Sequence, residues 1–208
     1  MSPRSSSRSE YRILVADDPE LTLTGELSAA RSTLAAYAAP DPQQTETKRR
    51  MLAFIDAHPD ALWRSCEEGH LTSSALVVDD AAERVLLLFH RKVQRWLQPG
   101  GHVDGDANLA AAALREATEE TGIEGLVVVV PSIDLDIHEF RAAGERDHLH
   151  IDTRFLVLAP PGAVVRGNHE SEELRWVTFN ELPSLDVDPG TVRMARRALV
   201  VAAAFVVD

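Results

Sequence analysis

The sequence predicts an α/β layered domain over residues 66–208, preceded by a tail and helical extension over residues 1–65. Three observations lead there. Runs rich in β-branched and aliphatic residues begin at Gly69-His70 and recur to about residue 180. One alanine-rich stretch, Asn108 to Thr121, interrupts them and reads as a helix. Before residue 66, apolar residues recur at helical spacing.

Taken in order, Ser2 to Glu10 is Ser- and Arg-rich without periodicity and reads as a flexible tail, and Tyr11 to Val15 as a short strand. Glu20 to Ala39 and Thr45 to His58 suit two helices separated by Pro40-Asp41-Pro42. Leu71 to Val78 and Arg84 to Phe89 read as a hairpin around Asp79 to Glu83. Gly100-Gly101 then precedes the alanine-rich helix by a loop, and Gly122 stops that helix. Leu126 to Val130, Ile133 to Phe140, His148 to Leu158 and Arg175 to Phe179 read as strands, and Thr191 to Val207 as a final helix.

Twenty-one basic against 33 acidic side chains leave a net charge of −12. Such a field repels nucleic acid and anionic membranes, so an anionic partner needs a cation bridge. Cys66 is the only cysteine, which excludes an internal disulfide and a thiolate zinc site and suits a cytoplasmic location. It lacks an obvious basic partner in sequence and reads as inert. The amino terminus has no apolar stretch of a secretory signal, and the longest apolar run, Ala198 to Val207, is too short to span a bilayer.

Glu116, Glu119 and Glu120 stand at i, i+3 and i+4, so a helix presents them on one face, roughly 5–6 Å apart at Cβ. A hard divalent cation would turn their mutual repulsion into attraction. The spacing alone also suits a solvated acidic face. Their surroundings decide between the two: Gly101, five residues, Ala107, seven residues, then Arg115-Glu116-Ala117-Thr118-Glu119-Glu120-Thr121-Gly122-Ile123. This run resembles the Nudix box of the Nudix hydrolase family, Gly-x5-Glu-x7-Arg-Glu-U-x-Glu-Glu-x-Gly-U with U apolar. The one mismatch is Ala107, where the family usually has its first glutamate.

The resemblance implies an α/β/α sandwich around a mixed sheet and metal-dependent cleavage of a phosphoanhydride in a nucleoside diphosphate-linked or related substrate. It implies Mg²⁺ or Mn²⁺ held by Glu116, Glu119, Glu120 and the Gly101 carbonyl, with Glu119, Glu120 and Arg115 in catalysis. Arg115, one turn from Glu119, is expected to orient that carboxylate. The family places another catalytic glutamate on a loop before the closing strand, for which Glu170 is the first choice and Glu173 the second. The missing box glutamate is mainly supportive in the family, so Ala107→Glu is expected to raise activity or stability modestly. A non-catalytic ligand-binding or regulatory domain on the same fold is the alternative.

Arg91, Lys92 and Arg95 put three cations in five residues and suit a phosphate cradle, or a solvated turn. His148 and His150 share a strand face, and His102 follows Gly101 directly; these three are candidate substrate ligands. His148 and His150 suit phosphate when protonated, a softer metal such as Zn²⁺ or Mn²⁺, or simple hydrogen bonding beside a polar cleft. Trp96 could stack on a base or close the core rim. Finally, the apolar positions of the amino-terminal helices, such as Leu34, Met51, Phe54 and Ile55, need cover, as does the end of the last helix. A homodimer is expected to supply it.

Overall fold

The computed structural model describes residues 11–141, 146–169 and 171–206. The tail read at Ser2 to Glu10, and Glu170, lie outside these described residues. The elements are β1 (Arg12–Leu14), α1 (Leu27–Ala36), α2 (Pro42–Ala57), β2 (Gly69–Val78), β3 (Arg84–His90), β4 (Arg95–Leu97), β5 (Gly100–His102), α3 (Leu109–Thr121), β6 (Val127–Phe140), β7 (His148–Leu158), β8 (Ser171–Thr178) and α4 (Pro189–Ala202).

One mixed sheet runs β1-β6-β7-β2-β3-β4, with β5 pairing β2 and β8 pairing β3. Only the β2–β7 pairing is parallel among the described strands. All of β2 is buried, as a strand covered on both faces must be. Alternate residues sort to opposite sides. Leu71, Ala75 and Val77 pack with α1, α2 and α3, whereas Leu76 and Val78 pack with Met194, Ala195 and Ala198 of α4. The result is an α/β/α sandwich. No helix of the described residues is long and apolar enough to cross a membrane.

Several expected boundaries move for tertiary reasons. Gly100-Gly101, for which no strand was expected, belongs to β5, in register with Ser74 and Ser73. The two strands expected on either side of Pro131 are one strand, β6, whose pairing with β7 shifts register between Val129 and Asp134. Proline has no N–H for a ladder, and the irregularity accommodates it. The helix expected from Glu20 begins only at Leu27, after a single 3₁₀ turn at Pro19–Leu21. The intervening backbone is held extended by bonds to the loop before α3: Ala107 N–H donates to the Thr24 carbonyl at 2.6 Å, and Asn108 Nδ2 donates to the Glu20 and Thr22 carbonyls.

The amino-terminal helices find their cover within the chain. Leu34, Met51 and Ile55 are buried in the same core as Leu71 and Ile151, and Phe54 packs against it. Gln44 of α2 is buried and bonds both backbone groups of Leu135, standing in for a neighbouring strand beyond the end of β1. Ala198 and Ala202 of α4 are likewise covered. Val200 of α4 and Val206 beyond it stay exposed.

Candidate active site

The alanines of α3 position the carboxylates. Ala110, Ala112, Ala113 and Ala117 are buried, and with no side chain beyond Cβ they let the helix lie close to the sheet. Asn108 caps it, accepting from Ala111 N–H, and Gly122 ends it in the left-handed conformation at φ 62°. The carboxylate-bearing face meets β5. Glu120 is buried, and its Oε2 accepts from Gly100 N–H at 2.8 Å. Glu116 is mostly buried beside Gly101, where an added Cβ would sit 2.7 Å from its Oε2. An added Cβ at Gly100 would meet Ser74 Oγ at 2.5 Å, so both glycines answer to close approach. Glu119 is exposed.

Arg115 does not reach Glu119 as expected. Its Nη2 donates to Glu116 Oε1 at 2.9 Å and to the His102 carbonyl at 3.2 Å. The guanidinium turns toward β5, where the single nitrogen Nη2 serves both acceptors.

Ala107 is fully buried in the apolar core. The loop around it is held instead by the preceding segment. Arg64 makes a two-pronged pair with Asp104 at 2.7 Å for each bond, Gly105 N–H donates to the Leu62 carbonyl at 2.9 Å, and Asp106 accepts from Thr24 N–H at 3.2 Å. Residues 20–26 and 62–64 thus tie this loop down.

A cleft of about 640 Å³ opens beside Glu116, Gly100 and Gly101. Arg91, Arg95, His102 and His150 line it, as does Lys92, so four of the five expected substrate ligands share one space. His148 does not; it lines a second cavity of about 340 Å³ with His70, His102, Arg64 and Cys66. Glu173 lies on β8 rather than on a loop and pairs with Arg175 at 2.7 Å. Trp96 packs against Phe89 and lies under the Arg175 guanidinium, as a core-rim aromatic.

The polar floor of the cleft was not foreseen from sequence. Asp152 accepts from Thr72 Oγ1, Ser74 Oγ and Arg154 Nε. Arg154, 2% exposed, also reaches Asp136 and Asp134, and Arg193 and Arg197 of α4 close on Asp134. Its signature was present as alternation, Asp134-x-Asp136-x-His138 and His148-x-His150-x-Asp152-x-Arg154, in strands otherwise read as apolar.

His70 is a further residue missed. It joins His102, His148 and His150 in a cluster whose ring nitrogens, one from each, all lie within 4.8 Å of one another. Burial, reinforced by the Arg64 charge, holds His102 down to about 4, and burial reinforced by the neighbouring rings holds His150 down to about 2; burial lowers His70 as well.

Known proteins bear on this geometry. Residues 69–198 match the NUDIX domain family. A Bacillus subtilis (strain 168) protein named "Putative 8-oxo-dGTP diphosphatase" is 27% identical over 108 residues, 52% of this chain and 66% of that protein. A Lactococcus lactis subsp. cremoris (strain MG1363) protein named "Probable DHNTP pyrophosphohydrolase" is 34% identical over 91 residues, 42% of this chain and 52% of that protein. The chain thus spans between about half and just under two thirds of these curated relatives. The crystal structure of a C. elegans Ap4A hydrolase binary complex superimposes with a TM-score of 0.53 at 21% identity, over 65% of this chain and 98% of that one, a likeness of fold. With the family matched over more than half its length, the chain belongs to the NUDIX domain family.

Proposed function

We propose that this protein is a divalent-cation-dependent pyrophosphohydrolase acting on a nucleoside diphosphate-linked or related diphosphate substrate. One observation carries the reading: carboxylates of α3 meet the Gly100-Gly101 backbone at the edge of a cleft that Arg91, Lys92 and Arg95 also line. The names of the two curated relatives, a diphosphatase and a pyrophosphohydrolase, support it.

The donor set fits Mg²⁺ or Mn²⁺. Glu116, Glu119, Glu120 and the Gly101 carbonyl are all hard oxygen donors, and Gly101 lies against Glu116. When bound, such an ion neutralises the diphosphate and acidifies the attacking water. The remaining work belongs to the chain. Arg115 fixes Glu116 against β5. Gly100 N–H fixes one oxygen of Glu120. Glu119, exposed on α3, would accept the proton of the attacking water. Arg91 and Arg95 hold the phosphates of the substrate as charge-assisted donors. His102 and His150, neutral at physiological pH, bring no charge to the cleft wall. The cleft volume suits a nucleotide-sized ligand.

The test is to incubate purified protein with ADP-ribose, dinucleoside polyphosphates, nucleotide sugars and oxidised nucleoside triphosphates, with Mg²⁺ or Mn²⁺, identifying products by mass. Cleavage at a phosphoanhydride, abolished by chelator, is the expected result. Ligand binding without turnover across the panel would favour the non-catalytic alternative.

A further inference from the structure

We propose that His70, His102, His148 and His150 form a closed four-imidazole site for a divalent transition-metal ion of the zinc class, separate from the carboxylate site on α3. The strand registers build it. His70 pairs with His150 across the parallel β2–β7 ladder, His148 stands two residues before His150 on the same face, and His102 pairs with Thr72, two residues beyond His70. Three strands therefore present four imidazoles on one side of the sheet.

Two details of hydrogen bonding point to an ion. His70 is 3% exposed, yet neither of its ring nitrogens makes a hydrogen bond. The Cys66 carbonyl favours its protonation but stands outside hydrogen-bonding geometry. Buried polar atoms without partners are rare, and an ion is one of the few things that accounts for them. The second detail is His148, whose Nδ1 lies 2.8 Å from the Arg146 carbonyl. Only a protonated Nδ1 can make that bond, which leaves Nε2 with a lone pair. Metal-binding histidines are oriented in this way by a backbone carbonyl behind the ring. That Nε2 lies 3.1 Å from His150 Nε2. Two ligands at about 2.0–2.1 Å on one tetrahedral ion lie about 3.4 Å apart. Small side-chain rotations would draw the wider pairs in to that spacing.

The donor chemistry selects the ion. An all-imidazole set suits zinc and its neighbours in the first transition row over Mg²⁺ or Ca²⁺, and four protein ligands leave no open position, as in structural sites. The cavity lined by His70, His102 and His148 gives the ion a way in. Its consequence reaches the carboxylates through the backbone, because the His102 carbonyl accepts from Arg115, which holds Glu116. A metal clamp on β2, β5 and β7 would fix that edge.

To test this, full-length protein is stripped with chelator, loaded with Zn²⁺ in excess Mg²⁺, desalted and assayed for bound zinc. One zinc per chain is expected. The His148→Asn, His150→Asn double variant should lose it, and the Glu116→Gln, Glu119→Gln, Glu120→Gln triple variant should keep it. X-ray absorption at the zinc edge of the loaded wild type needs no variant, and should show four nitrogens at about 2.0–2.1 Å with imidazole outer shells. No retained zinc, zinc lost from the glutamate variant but kept by the histidine variant, or an oxygen-dominated six-coordinate shell would each overturn the proposal.

Discussion

Two buried polar clusters occupy one continuous strip of the sheet, yet they are satisfied in opposite ways. At one end Asp134, Asp136 and Asp152 enclose Arg154, with Arg193 and Arg197 closing from α4, so charges meet opposite charges. At the other end, two to four residues along the same strands, four imidazoles face one another, and His70 has both nitrogens unpartnered. Buried polar groups persist when their partners come with them. The ionic end brings its partners in the chain, whereas the imidazole end requires one from outside.

This contrast can be broken most severely at Arg154. Arg154→Met leaves the buried Asp152 without its ion-pair partner and is expected to cost about 3–5 kcal/mol in urea or thermal unfolding. A loss under 1 kcal/mol would show that the cluster is not a unit. Ala107→Glu adds the reverse case, a carboxylate placed in the apolar core with no partner. Its fully buried position turns the expectation from the family pattern around: a loss of about 1–3 kcal/mol is expected instead of a gain. A raised melting temperature would contradict that.

Acid sharpens the comparison further. Burial works to raise the Asp136 carboxyl, but His138, Arg154 and Arg193 outweigh it and hold it below the ordinary range. With the folded value below the unfolded one, its contribution is complete above about pH 4 and is lost as pH falls further. Asp136→Asn should therefore flatten the decline of stability below pH 4, and an unaltered slope would remove Asp136 from the account. The smallest effect belongs to the imidazole end. In chelator, His70→Leu removes two unpartnered nitrogens and should change stability by no more than about 1 kcal/mol, in contrast to Arg154→Met. Equal losses at the two ends would erase the distinction.

What could be read in the sequence was what is local along the chain. Glu116, Glu119 and Glu120 share a helical face because of their spacing, and Asn108 and Gly122 bound that helix by their own backbone preferences. The residues that were missed are brought in by register. His70 meets His150 across 80 positions, and Gly100-Gly101 becomes a strand because β2 offers it an edge. Thr22 to Glu26 leave the expected helix because the loop before α3 takes their backbone groups. Arg115 chose Glu116 over Glu119 because β5 supplies a second acceptor, the His102 carbonyl. None of these is fixed by spacing within one element.

The most direct test of the proposed function is steady-state hydrolysis by Glu120→Gln, using whichever substrate the wild type cleaves fastest with Mg²⁺. The glutamine keeps a carbonyl to accept from Gly100 N–H, so the melting temperature should hold while the charge is lost. Turnover is expected to fall on the order of 10²–10⁴-fold. Full turnover in this variant, and in the Glu119→Gln, Glu120→Gln double variant, would contradict an active site built on the carboxylates of α3.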